Sequence, residues 1–129
     1  MAKQFTLGKN ERLKSRKSIE QLFSEGKKMV VAPYRILYIL TTSGKEPSLL
    51  FAAGVSARNF KKAVDRNRIK RLTKEAWRLQ KNELAKKTAI MNVQLNVFCI
   101  YTGSALPGYE EVYKKIGTVV QKLERLVTE

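Results

Sequence analysis

The sequence predicts an α+β fold, a single two-layer sandwich in which a four-stranded sheet carries three helices in the order α-β-β-β-α-β-α. Three observations predict it. Stretches of alternating, β-branched and aromatic residues recur at 29–42, 49–56 and 92–101. Two long segments, 61–86 and 109–127, repeat apolar residues at helical spacing. The chain has 129 residues, 43% of them hydrophobic, with no internal repeat, linker or low-complexity tract, which suits one domain with one core.

Residues 1–14 are polar and basic without periodicity and read as an extended arm, leaving 15–129 as the domain. Ser18 and Gln21 fit a capping box, Ile19, Leu22 and Phe23 share a face, and Gly26 can end this first helix. Pro33 interrupts 29–42, which predicts a short strand, a kink and a longer strand. In the longer strand Tyr34, Ile36, Tyr38 and Leu40 share one face, and Arg35, Leu37, Ile39 and Thr41 the other. Residues 43–47 (SGKEP) read as a hairpin turn. The strand at 49–56 contains Gly54, which marks a bend or a close approach. One long helix is expected over 61–86 and a fourth strand over 92–101. The loop 103–108 with Pro107 leads to a last helix with Val112, Ile116, Val119, Leu123 and Leu126 at core spacing.

Charge points to the partner. The chain has 26 Lys and Arg against 11 Asp and Glu, a net charge of +15. A compact domain keeping so much like charge against its own repulsion implies a polyanion, and nucleic acid is the commonest. There is no histidine, and Cys99 is the sole cysteine, so the commonest general base and the usual metal ligands are missing. Cys99 sits in an apolar run and reads as a buried, inert thiol. No apolar stretch approaches the roughly 20 residues that span a bilayer, and the start of the chain lacks the apolar core of a secretory signal. The expectation is a cytoplasmic protein without a membrane partner, monomeric when free.

The charge concentrates on the long helix. Between Arg58 and Lys81 there are ten basic and two acidic residues. On a helical wheel Lys70, Arg71, Lys74, Arg78 and Lys81 fall within about 60° of Asn67. Ile69, Leu72, Ala76 and Leu79 oppose them, and Arg66, Arg68 and Trp77 flank the stripe. A solvated helix face usually mixes both signs, whereas one sign dominates here, as a phosphate-binding face requires. Asn67 either offers its amide to a ligand or bridges a nearby loop. Phe23, Tyr34, Tyr38 and Trp77 either fill the core or offer stacking platforms to unpaired bases.

The string 62–72, KAVDRNRIKRL, resembles the signature of the bacterial ribonuclease P protein component. Arg12-Leu13-Lys14 followed by Ile19, Phe23 and Gly26 is similar to that family's first helix. Ile36-Leu37-Tyr38 resembles its main strand and Gly54-Val55-Ser56 the strand before its basic helix. The resemblance covers about 12–127. It implies a subunit that binds a large catalytic RNA and precursor tRNA, assisting removal of the 5′ leader. The RNA would perform the cleavage and hold most of the Mg2+, with no metal held by protein side chains alone. It implies a left-handed βαβ crossover carrying the basic helix, against the usual right-handed expectation. By resemblance Arg66, Asn67, Arg68, Lys70 and Arg71 contact the catalytic RNA and its ions, and the basic charge of Arg58, Lys61, Lys62, Lys74 and Arg78 extends that RNA-binding surface. Ile19, Phe23, Ile36 and Tyr38 would line a cleft for the leader. Ile19 stands where the family often has an aromatic, and the run 56–62 (SARNFKK) departs from the family's small-residue and double-lysine pattern. The competing readings are a structural ribosomal RNA-binding protein, and a DNA-binding module with the basic helix in a major groove.

Overall fold

A computed structural model describes residues 12–13, 16–42 and 46–128. The elements run α1 (Arg16–Glu25), β1 (Lys27–Val31), β2 (Tyr34–Thr41), β3 (Ser48–Val55), α2 (Ala63–Gln80), α3 (Asn82–Met91), β4 (Gln94–Tyr101) and α4 (Tyr109–Thr128). The class is α+β, with a fourth helix where one long helix was expected. The first helix starts at Arg16, so Ser18 lies inside it, and Gly26 ends it with its N–H on the Leu22 carbonyl at 3.0 Å.

The sheet order is β1-β2-β4-β3. β1, β2 and β4 are antiparallel neighbours, and β3 runs parallel to β4. The hairpin is therefore the β1–β2 turn at Ala32-Pro33. The segment 43–47 does not close one, because β4 lies between β2 and β3; residues 43–45 fall outside the described set. The reason is in β4 itself. Leu95, Val97, Cys99 and Tyr101 are buried on one face while Phe98 and Ile100 offer apolar surface on the other, and a strand apolar on both faces belongs at a sheet centre.

One sheet face is closed. Tyr34, Ile36, Leu49, Phe51, Val97, Cys99 and Tyr101 pack there with Ile69, Ala76 and Trp77 of α2, Leu84 of α3, and Val112, Ile116, Val119, Val120, Leu123 and Val127 of α4. On α4 the last buried position is Val127, with Leu126 only partly buried. The opposite face is covered only in part. There α1 seats Leu22 over Leu37, beside Leu13, with Ile19, Ile39, Leu50, Ala52, Phe98 and Ile100 around them. Part of the expected arm belongs to the domain, because Leu13 is buried and its N–H bonds the Phe51 carbonyl on edge strand β3 at 3.0 Å. The rest of the arm, 1–11 and 14, lies outside the described residues.

The helix over 61–86 breaks at Lys81, whose backbone stays right-handed (φ −76°, ψ −15°) and whose N–H still reaches the Trp77 carbonyl at 2.9 Å. Buried positions step by four through Ile69, Thr73, Trp77 and Lys81. Each such step overshoots a 3.6-residue turn by about 40°. Three steps rotate the buried side far enough to take Lys81 off the basic stripe and turn Leu79 outward. Lys81 is only 3% exposed, and burial lowers its ammonium pKa, whereas Leu79 is 38% exposed.

Candidate nucleic-acid interface

The outer side of α2 is a cationic surface anchored on the core. Ile69, Ala76 and Trp77 fix the helix, with Trp77 stacked on Phe51 at 4.2 Å and an interplanar angle of 10°. Trp77 is thus a core residue and no platform for bases. Tyr34 is buried likewise, its hydroxyl 2.7 Å from the Thr73 hydroxyl, which itself donates to the Ile69 carbonyl. Burial pushes the Tyr34 phenol pKa up and also the Cys99 thiol, which leaves Cys99 protonated and inert.

On that outer side Asn67, Arg68, Arg71 and Lys74 are exposed and Lys70 is half-buried. Arg58, Lys61 and Lys62 are exposed on the approach to the helix. None of these cations forms an ion pair among the described residues, and the Asn67 amide has no hydrogen-bond partner there. The counter-charge for this surface must come from another molecule or from counterions. A groove of about 640 Å³ runs along it, walled by Arg68, Arg71, Lys74 and Arg78 and closed by Arg12 and Glu75. The family resemblance grouped Arg12 with the first helix and not with this surface; Arg12 reaches the groove because Leu13 pins its neighbour to β3.

Two residues expected to face RNA have other attachments. Arg66 donates from Nη1 to the Phe60 and Lys61 carbonyls, both at 2.8 Å, and so clasps the loop before α2. Arg78 is ion-paired to Glu75, with Nε donating at 3.1 Å. The loop 56–62 is fixed from its other side by Asn59, whose amide donates to the Thr102 and Gly103 carbonyls at 3.0 and 3.1 Å. The unusual run SARNFKK thus has its own tether, which holds Arg58, Lys61 and Lys62 beside the helix.

The expected cleft of Ile19, Phe23, Ile36 and Tyr38 does not form as a unit. Ile36 is fully buried and Tyr38 packs against the same core, both on the closed face, whereas Ile19 and Phe23 stand over the other. Successive residues of a strand point to opposite faces, so Leu37 and not Ile36 accompanies Phe23. Phe23 is 55% exposed and meets Phe98 edge-on at 5.7 Å. Beside it the register aligns Val30, Arg35, Ile100 and Gly54 in one row across the sheet. Gly54 is the close approach suspected from the sequence, since a Cβ there would sit 2.6 Å from Phe98 Cε1. This half-covered face combines two aromatic rings with the exposed Arg35.

The profile of the ribonuclease P family matches residues 7–124. The chain belongs to the ribonuclease P protein family. It is 34% identical to the ribonuclease P protein component of Porphyromonas gingivalis over 108 residues, 84% of this chain and 79% of that one. It is 27% identical to the protein component of Chlorobium phaeobacteroides, covering 92% of this chain and 88% of that one. Two structures of the Staphylococcus aureus RNase P protein share the fold. One has a TM-score of 0.67 at 15% identity, covering 88% of this chain and 95% of the other. The second has a TM-score of 0.60 at 18% identity, with 92% of each chain covered.

Among the described residues no group of three or more His, Cys, Asp and Glu could hold a metal ion, and no helix is long and apolar enough to cross a membrane.

Proposed function

We propose that this chain is the protein subunit of a ribonuclease P, acting in the cytoplasm to bring a catalytic RNA and the 5′ leader of precursor tRNA together. The observation that carries the reading is the unpaired cationic surface of α2 in a chain of this family. Arg68, Lys70, Arg71 and Lys74, with Arg58, Lys61 and Lys62 at the helix start, neutralise phosphates of the catalytic RNA. Asn67 adds a donor and an acceptor on the same side. The leader, a single strand, lies across the open sheet face. Phe23 and Phe98 offer stacking surface there, and Arg35 meets the backbone. Arg66 serves by positioning the loop that carries Lys61 and Lys62.

Cleavage itself is assigned to the RNA, with Mg2+ held mainly by RNA phosphates. The carboxylates on the cationic side are sparse, and Glu75 is already engaged by Arg78. The protein's contribution is cationic charge. It offsets the repulsion between catalytic RNA and substrate, which lowers the Mg2+ concentration the reaction needs. The test is to reconstitute the chain with the RNA of ribonuclease P at low Mg2+ and follow release of the leader. Faster cleavage than with RNA alone is expected; an unchanged rate rejects the proposal.

A further inference from the structure

A second groove, of about 700 Å³, opens where the end of α2 meets the start of α4, lined by Leu79, Gln80, Tyr109, Tyr113 and Gly117 together with the charged Glu110 and Lys114. Three of these apolar side chains are left in solvent: Leu79 at 38%, Tyr109 at 36% and Tyr113 at 40% exposed. The two tyrosines are one helical turn apart, with ring centroids 5.9 Å from each other and planes inclined by 50°. The floor is held firmly. Gln80 donates to the Tyr113 carbonyl at 2.9 Å and to the Ala76 carbonyl at 3.1 Å, tying α4 to α2. Gly117 faces this amide: a Cβ there would lie 2.7 Å from the Gln80 Oε1, and the Gln80 side chain would have to shift.

The two grooves follow one another along α2, the first walled as far as Arg78 and the second from Leu79 onward. Glu75 and Arg78, which end the first groove, are near enough to Tyr109 to act on its phenol, and Leu79 follows Arg78 in the chain. Lys74 and Arg78 are separated by about 6 Å of helix rise, so a strand following those cations is led to the tyrosines. Glu110 and Lys114 offset one another in this groove, so its selectivity comes from the exposed tyrosine rings and Leu79, which suit the face of a base rather than the phosphate backbone.

We propose that Tyr109, Tyr113 and Leu79 form a stacking platform for an unpaired base of the RNA whose phosphates lie on α2. The inference rests on the RNA-binding reading of α2 and extends that surface onto α4. The platform is separate from the open sheet face, because α4 packs on the other side of the sheet.

Stacking and ion pairing respond differently to salt. Releasing counterions gives binding its salt slope, whereas a stacked base contributes equally at every salt concentration. The experiment measures binding of the chain to ribonuclease P RNA, without precursor tRNA, across a salt series. Tyr109→Ala combined with Tyr113→Ala should weaken binding on the order of tenfold at each salt with the slope unchanged. Tyr109→Phe combined with Tyr113→Phe should bind as the parent does, and this pair keeps the test valid should the alanine pair fold poorly. Unchanged affinity of a folded alanine pair overturns the platform, as does a loss of equal size in the phenylalanine pair. A parent that sediments as a dimer, and becomes monomeric with the alanine pair, would give the groove to a second copy and also overturn it. Arg71→Ala and Lys74→Ala serve as the control. If they leave the salt slope unchanged, the reading of α2 fails; if they flatten it while the tyrosine pair does nothing, only the platform fails.

Discussion

The two faces of the sheet are built from adjacent residues of the same strands and meet different fates. Tyr34, Ile36, Val97, Cys99 and Tyr101 lie under three helices, while Arg35, Leu37, Phe98 and Ile100, one residue out of phase, lie under α1 alone or in the open. The closed face specifies the fold, and the half-covered face is left available for binding. The difference teaches that an aromatic or apolar side chain has a role here only through its parity along the strand. Ile36 and Phe98 are equally apolar by type, yet one is sealed and the other presents its ring to Phe23.

Mutations on the two faces should therefore separate stability from binding. The largest effect is expected for Ile36→Ala, which removes a fully buried side chain and should cost roughly 2–5 kcal/mol in urea unfolding. Its folded fraction should still prefer precursor tRNA to mature tRNA. Phe98→Ala and Phe23→Ala should do the reverse. They should cost less stability but weaken precursor binding by about 1–3 kcal/mol, the scale of one stacked base, without affecting mature tRNA. Equal losses for both RNAs would make these rings structural.

Smaller effects sharpen the comparison. Thr73 gives its proton to Ile69, so the Tyr34 hydroxyl must donate to Thr73, and Tyr34→Phe removes one buried hydrogen bond. That should cost about 1 kcal/mol of stability and leave RNA affinity unchanged, as binding assays can check. Arg68→Ala should lower the salt slope of RNA binding by about one unit with no change in melting. Arg66→Ala should instead lower the melting temperature, because its guanidinium holds two loop carbonyls.

Much of this was legible in the sequence. The strong signals were local: the 3.6-residue repeat of α4, the one-sided charge of α2, Pro33 between two strands, and Gly26 at a helix end. Family resemblance in the string 62–72 then gave the charge a particular kind of ligand. What stayed hidden depended on long-range pairing. The insertion of β4 between β2 and β3 cannot be read from a turn signal at 43–47, since that segment looks the same whether or not its flanking strands are neighbours. Both faces of β2 are apolar, so alternation separates Tyr34, Ile36 and Tyr38 from Leu37 and Ile39 without saying which set is covered. The four residues expected to line one cleft consequently fall on two faces, Ile36 and Tyr38 on one and Ile19 and Phe23 on the other, and Phe98 was not grouped with Phe23. Lys81 and Leu79 exchanged roles because an ideal wheel ignores the drift of a buried face that advances four residues at a time. Arg66 looked like one more cation in a row, and only the fold of 56–62 shows that its Nη1 is engaged by two loop carbonyls.

The most direct test of the two-face account is to map the leader on the protein. A precursor tRNA carrying photoreactive nucleotides along its leader would be crosslinked in the reconstituted holoenzyme and the adducts located by mass spectrometry. Adducts are expected on the half-covered face, at Phe23, Phe98 or the Val30–Arg35–Ile100 row. Adducts confined to Tyr38 and its closed-face neighbours, or to the outer side of α2, would contradict it.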